Sequence, residues 1–573
     1  MARVLYADLC QPGLACTGFC ARKFVVRNGL DFAVAPVEMR VWLRSLWGTY
    51  FTIDLRSLGL FRILFGAVLF SDLARRWVDL PFWYVNSGIL PNHTLLWRPP
   101  TQHLFSLFFT VSTVAEARLG FLLCAFVYGC FFVGYRTRWA QLFALIVRVS
   151  LNSRLAVLEN GGDMVMDLLC LLTLPLPLGA RFSFDAVAAS SLGAAAPKSA
   201  APASARGAEV ASYSSLAVLA ILLQFSAVYL FNASAKTGPA WRDGSAVYYA
   251  LQLDKFVTWP GVWMREHLSV QALRWLTWST LATEWSAWVL IITPVFVRQA
   301  RAVAVCALPV LHLCFALGLN LGGFSLAMMS FYALLLVPEH WRWLSGVFGS
   351  RTEPLVAALE QWLRRWLAPR PLLPLKRSLR VLGEGATLLV LIAIASEALN
   401  DNVAVPQALR VHQPAWAKAV IEYPRILQGW RMFSDEPSRV DSMIYVDAVT
   451  GGGRHVDPYN EVASEPGFKP GNVVPRHVGE SQFFVMYSDR IPYDGFANYR
   501  QAFSEWLQAY PSRTDHPEDC ILRYEVYLVT DQSPAFGSNE KPTPLSRQSF
   551  MSYSAPDDSP CRKTPGKKLS NER

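Results

Sequence analysis

Nine stretches of apolar residues, each with at most two ionisable groups, recur through the first 400 residues of this 573-residue chain. They lie at about Leu58 to Leu73, Leu119 to Tyr135, Trp139 to Leu151, Met164 to Leu178, Leu216 to Phe231, Trp275 to Val297, Ala302 to Leu319, Phe324 to Val337 and Val381 to Leu399. A water-soluble chain must cover its surface with polar groups, and this one does not supply them. Hydrophobic residues make up 53% and charged residues only 17%, and the mean hydropathy is +0.25. Crossing a hydrocarbon core of about 30 Å takes roughly 20 residues of helix. Several runs are shorter, so some helices extend through polar ends or are only partly embedded; the third, which contains Arg148, is the weakest of the set. The pattern predicts a mainly α, polytopic membrane bundle of about eight or nine helices, and the 20 Trp and 20 Tyr suit the bilayer interfaces.

The net charge of +10 does not point to nucleic acid, because Lys and Arg fall between the apolar runs and in the tail rather than on one face. With the N-terminus inside, nine spans place Arg136, Arg138, Arg298, Arg301 and the Arg342 to Arg380 cluster on the inner side, as the positive-inside rule requires. The same count puts the loops at 152–163, 236–271 and 320–323 outside, with everything after Asn400. This is an integral, multi-pass protein with the lipid bilayer as its first partner; in a bacterium it would lie in the inner membrane with its C-terminal domain on the outer face. Residues 1–49 read as a leader without a signal-peptide core, with Met39 a candidate start. An Ala/Ser/Pro-rich linker runs from Ala186 to Ala208, and the basic, Trp-bearing stretch His340 to Arg380 suits a helix lying on the membrane.

The pattern changes at residue 401. Over 401–530 a small α+β soluble domain is expected, with strands at Ser442 to Thr450, Ser481 to Tyr487 and Cys520 to Thr530 and a helix at Phe496 to Tyr510. The Ser, Pro and Lys of 531–573 predict a disordered tail. The ten Cys form no CxxC pair, and there is no phosphate-binding loop, so neither a metal nor a nucleotide is expected.

Lys236 closes the uncharged run Val210 to Ala235, and Gly238-Pro239 stops the helix. Two readings are open: an ammonium that snorkels to the membrane surface, or an amine lowered by desolvation from its ordinary pKa of about 10.4 and available as a base. Glu284 and His312 are single polar groups inside apolar helices, fit either for an interhelical hydrogen bond or for a buried site. Asn152 and Arg154 precede a turn, Asn160-Gly161-Gly162-Asp163, that reads as ordinary turn and cap chemistry.

Lys236 followed by Trp241 and Gly244 resembles the lysine segment of the vitamin K-dependent gamma-glutamyl carboxylases and their bacterial relatives, the HTTM (horizontally transferred transmembrane) family. Collinear matches are Arg62 to Gly66, Asn160 to Asp163, Pro175 to Asp185, His312 with Leu321 to Ser325, and Gln428 to Phe433, together covering about residues 50–450. The resemblance implies an HTTM-like transmembrane domain over 50–400 and a carboxylase-type enzyme acting through a quinol of reduced vitamin K or menaquinol type, dioxygen and carbon dioxide on protein glutamate. It makes Lys236 the base toward the quinol, with Arg154 and His312 as electrostatic or hydrogen-bonding partners. Asn152, Trp241 and Asn320 are then the cofactor-binding positions. Where this chain has Asn152 and Arg154 the carboxylases carry a histidine, and their long propeptide-binding region is here only about 170 residues. A related quinol epoxidase, and a non-catalytic binding or assembly protein that keeps the fold, stay open as alternatives. If Lys236 is catalytic, its side chain faces an internal cavity shared with His312 or Arg154; a carboxylate beside it would hold the amine protonated.

Overall fold

The computed structural model describes residues 37–195, 212–371, 376–464, 481–538 and 540–563. The chain divides into two compact units, Met1–Trp47 and Gly48–Arg573. Of the expected leader, residues 1–36 lie outside the described residues, and Val37–Tyr50 is a helix.

All nine apolar runs are helical. We number the helices α1 (Leu55–Val78), α2 (Val114–Val133), α3 (Thr137–Arg154), α4 (Gly161–Thr173), α5 (Leu216–Ser234), α6 (Val270–Ile292), α7 (Val297–Gly318), α8 (Phe324–Phe331) and α9 (Arg377–Asp401). Among the described residues, α1, α2, α5, α7 and α9 are long and apolar enough to cross a membrane. Their outer faces remain apolar: Leu119, Leu122, Leu123 and Phe126 on α2, and Val303, Val310, Leu313 and Leu317 on α7, are exposed. A water-facing protein rarely presents so continuous an apolar surface.

Local chemistry sets the helix ends. Thr113 and Glu116 form a reciprocal capping box at the start of α2, and Asn160 and Asp163 form another at α4. Helix α2 stops at Gly134, which has φ +71°. A Cβ there would lie 2.4 Å from Ser183 Cβ and 2.9 Å from the Arg62 guanidinium carbon, so only glycine fits. Arg62, from α1, occupies that space to donate to the Phe131 carbonyl at 2.9 Å and to those of Phe132 and Phe182, tying the end of α2 to the turn that holds Phe182.

Buried charge joins three of the helices. On α1, Arg76 Nε pairs with Asp72 at 2.8 Å and its Nη2 reaches Asp163 of α4 at 2.5 Å. Arg148 of α3 pairs with Asp72 at 3.2 Å, Asp163 at 2.5 Å and Asp167 at 3.1 Å. Asn152 Nδ2 donates to Asp167 at 2.6 Å, and Arg76 donates to Tyr84 Oη at 2.8 Å. The half-exposed Arg75 adds a third cation 3.6 Å from Asp72, so three arginines balance three aspartates.

The C-terminal part is α+β, with a five-stranded antiparallel sheet. Its strands are β1 (Val440–Thr450), β2 (His455–Asp457), β3 (Val462–Ser464), β4 (Ile521–Gln532) and β5 (Thr543–Ser554), in the order β3-β2-β1-β4-β5. Strands β1 and β4 and the helix Arg500–Gln508 meet the sequence expectation. Three details of the expectation are corrected. Ser481 to Tyr487 is not a strand: Gln482–Arg490 is a helix, because Phe483, Phe484 and Tyr487 at helical spacing bury one face against Trp83, which lies 5.0 Å from the Phe484 ring and 5.4 Å from that of Tyr487. The tail is not wholly without structure: β5 completes the sheet edge through backbone hydrogen bonds that need no apolar composition, and a disulfide joins Cys561 to Cys520. The linker begins as a helix, Phe184–Ala195, while 196–208 lies outside the described residues.

Nor is there a structural seam at residue 400. Ser481 bonds Asp79, Tyr499 Oη donates to the Arg98 carbonyl at 2.7 Å, and Arg490 donates to the carbonyls of Val157 and Glu159. Helical and α+β parts share one buried core.

Arg148→Met leaves Asp72, Asp163 and Asp167 under-compensated in an apolar interior and is expected to cost about 3–5 kcal/mol, the usual penalty for removing one partner of a buried pair. Adding Asp167→Asn should recover part of the loss. Thermal unfolding in detergent checks both; a single variant as stable as the parent would show that the charges are solvated.

Candidate functional site

The site is built where α5 ends. Tyr229, Asn232 and Lys236 are spaced by three and four residues along one face of that helix and its C-terminal turn. The chain then turns at Gly238, whose N–H donates to the Asp435 carbonyl at 2.9 Å; a Cβ there would lie 2.7 Å from that same oxygen. The Ala240 N–H donates to Glu436 at 2.9 Å, and Trp241 Nε1 to the Phe433 carbonyl at 3.3 Å. The lysine loop is therefore fastened to the segment that follows Gln428.

Lys236 is buried, so the snorkelling reading fails. Its ammonium pairs with Glu284 of α6 and lies 5.0 Å over the Trp241 ring. The other Glu284 oxygen accepts from Asn232 Nδ2 at 3.1 Å, and Asn232 Oδ1 accepts from the Met432 N–H at 2.9 Å. Burial pulls the Lys236 amine below the ordinary lysine value, and the Glu284 carboxylate opposes that shift. The structure thus offers an ion pair rather than the isolated neutral amine that a lone lysine base requires.

Two cavities adjoin this pair. The larger, about 300 Å³, is lined by the polar Tyr229, Asn232, Glu284 and His312 and by the apolar Phe315, Phe324 and Met328. Asn160 and Glu159 close its far end, together with Arg490 and Gln482. Burial raises the Glu159 carboxyl above its ordinary value, while Arg425, whose Nε lies 2.9 Å away, works against the shift. The smaller cavity, about 80 Å³, is lined by Lys236 and Trp241. Glu284, Phe315, Leu321 and Met432 line both.

His312 is buried on α7, with Nε2 2.8 Å from Tyr229 Oη, which in turn contacts Tyr332 Oη. Its Nδ1 has no hydrogen-bond partner among the described residues. Whichever tautomer is present, His312 brings one unpartnered polar atom to a residue that lines the cavity.

The expected site residues thus separate. Lys236, Trp241 and His312 are gathered around the two adjoining cavities. Arg154 is buried away from them, with Nη2 donating to the Leu90 carbonyl at 2.7 Å, and Asn152 is taken up by Asp167. Asn320 lines a different cavity of about 480 Å³ with Asp163 and Arg75. Arg154 and Asn152 lie one to two turns beyond Arg148 on α3, so the charge network that anchors that helix keeps them on its side. Sequence reasoning missed Tyr229, Asn232 and Tyr332. The spacing of Tyr229, Asn232 and Lys236 was a signal that could have found the first two; nothing in the sequence pairs Tyr332 with them.

No family model, no curated protein and no solved structure matches the chain.

Because Lys236 and Glu284 are mutually compensating, their effects on stability should be non-additive. In a double-mutant cycle of Lys236→Met and Glu284→Gln, we expect a coupling of roughly 0.5–3 kcal/mol by thermal unfolding in detergent. Strict additivity would show that the pair is not formed.

Proposed function

We propose that the chain is a multi-pass membrane enzyme of carboxylase type that binds a lipid quinol in the larger cavity. The observation that carries this is the lining of that cavity, which combines Phe315, Phe324 and Met328 with the hydrogen-bonding groups of Tyr229, Asn232, Glu284 and His312. Its size and lining fit a flat ring with hydroxyl groups, since small-molecule sites of 300–1,000 Å³ combine apolar walls with a few oriented polar atoms. The resemblance to the carboxylases and the HTTM family points to the same ligand class.

In this reading the outward apolar faces of the helices meet lipid, and the region after residue 400 lies on the outer side. The Cys520–Cys561 disulfide supports that side, because disulfides persist in oxidising compartments.

A quinol held with dioxygen and carbon dioxide supplies the oxidation that drives removal of a glutamate γ-proton and its replacement by carboxylate. The protein's own part is binding and proton handling. The apolar side chains exclude water, and Tyr229 and His312 orient one hydroxyl. Glu284, which borders both cavities, accepts a proton from the hydroxyl bound beside it. Lys236 stays as its ammonium and balances the negative charge left in the cavity, where a low dielectric makes that compensation strong. The base is therefore Glu284, with Lys236 as its electrostatic partner. Fastening of the lysine loop to Phe433–Glu436 holds both in register.

The test is purified protein in nanodiscs with reduced vitamin K, labelled bicarbonate and a Glu-containing peptide. We expect label in the peptide, lost by about 10²-fold or more in Glu284→Gln, the scale of a general base. Lys236→Ala should be similarly impaired. Epoxide without label identifies a quinol epoxidase, and quinol binding without turnover identifies the non-catalytic alternative.

A further inference from the structure

A cavity of about 400 Å³ opens at the far end of the bundle, where α3 begins and α9 begins. Among the described residues it is lined by four arginines, Arg136, Arg138, Arg370 and Arg380, against a single carboxylate, Asp185. That carboxylate is already saturated. It accepts from the Arg136 N–H at 3.0 Å, from Thr137 N–H and Oγ1 at 2.7 Å each, and from Arg370 Nη2 at 2.7 Å.

Three of the four guanidinium groups, those of Arg138, Arg370 and Arg380, are held in place. Arg138 Nη1 donates to the Leu176 carbonyl at 3.1 Å, and Arg380 Nη2 to the Ser214 carbonyl at 2.8 Å. Arg370 lies 4.6 Å over the Tyr135 ring, and Arg380 4.9 Å over that of Tyr213. Each guanidinium has five N–H donors and uses only part of them here, and its planar fork matches two phosphate oxygens at once. Four cations facing one occupied anion leave a surplus of three positive charges, which is stable only with a counter-anion or full hydration.

The surroundings say what form the anion takes. The rim carries the exposed Trp139, at the start of a helix whose next outward aromatic is Phe143, stacked 6.2 Å away. The helix Pro338–Trp366, which precedes Arg370 in sequence, exposes Trp343, Trp362 and Trp366. Aromatic side chains beside a basic pocket mark the headgroup level of a bilayer, where anionic headgroups bind between helix ends.

We propose that this pocket binds the phosphate of an anionic phospholipid, with the acyl chains running along Trp139 and Phe143 of α3. Arg138 and Arg380 make the central contacts, and Arg136 closes the rim. The proposal is independent of the quinol reading, since it uses a different cavity at a different level.

The test compares the full chain in nanodiscs of phosphatidylcholine alone with nanodiscs containing phosphatidylglycerol, reading retained lipid by native mass spectrometry. Phosphatidylglycerol should be retained selectively. Arg138→Gln with Arg380→Gln should weaken retention about thirtyfold, a factor of roughly five per arginine. Arg342→Gln, on the exposed helix outside the pocket, should leave it unchanged. If the double variant does not fold, Arg136→Gln, whose side chain has no partner among the described residues, should lower retention about fivefold by itself. Equal retention by the parent and the pocket variants, or an equal loss in Arg342→Gln, overturns the proposal. Displacement of phosphatidylglycerol by millimolar inorganic phosphate overturns the lipid assignment in favour of a soluble phosphate.

Discussion

Two arginines and three aspartates buried between α1, α3 and α4, with the half-exposed Arg75 beside them, are the constraint from which the rest of this structure follows. Desolvating so many charges is tolerable only when each finds opposite charge and hydrogen bonds in a fixed geometry. That requirement sets the register of the three helices far more sharply than apolar packing, which permits sliding. Asp163 shows how the constraint reaches the site. It accepts from Arg76 and Arg148, and it also closes the capping box with Asn160, whose N–H and Nδ2 donate to it at 3.2 and 2.7 Å. The turn that forms the far end of the larger cavity is therefore fixed by the ion network, not by the cavity's own contents.

The other end of the cavity is fixed by hydrogen bonds that satisfy polar groups at helix ends. Asn402, just past α9, donates to the carbonyls of Ala398 and Gln428 at 2.8 Å each and accepts from the Trp430 N–H at 3.0 Å. Gln428 Oε1 accepts from Gln224 of α5 at 2.8 Å and from Trp430 Nε1 at 2.9 Å. These side chains lay the segment Gln428 to Phe433 over α5, and Asn232 then passes the alignment on to Glu284. A region that reads as a separate soluble domain thus forms part of the cavity wall.

Between those two fixed ends, Lys236 and Glu284 form a neutral pair held in apolar surroundings. The pair resolves the conflict between the two expectations for the lysine. Burial alone would neutralise the amine, and exposure alone would keep it charged and hydrated. A carboxylate within contact lets it be buried and charged together, and places a proton-accepting oxygen on the wall of both cavities.

What the sequence by itself determined was the kind of structure and its coarse parts. The nine apolar runs are helices because a helix satisfies the backbone of an apolar segment within the segment itself, without water. Strands β1 and β4 showed in their apolar composition, and Lys236, Trp241, Glu284 and His312 stood out as polar or aromatic groups in apolar surroundings. Helix or strand at Ser481 to Tyr487 was not legible, because a short apolar run satisfies both patterns and only the aromatic face offered by Trp83 and its neighbours selects the helix. Strand β5 was hidden for the opposite reason: its order comes from the ladder to β4, and its composition carries no signal of that. The tertiary structure alone decided which polar residues meet. Asn152 and Arg154 are close in sequence to a plausible site, yet the charges on α1 and α4 draw their helix into a different cluster. Lys236 and Glu284 lie 48 residues apart, and a charge in one helix has no means of naming its partner in another until packing brings the two together.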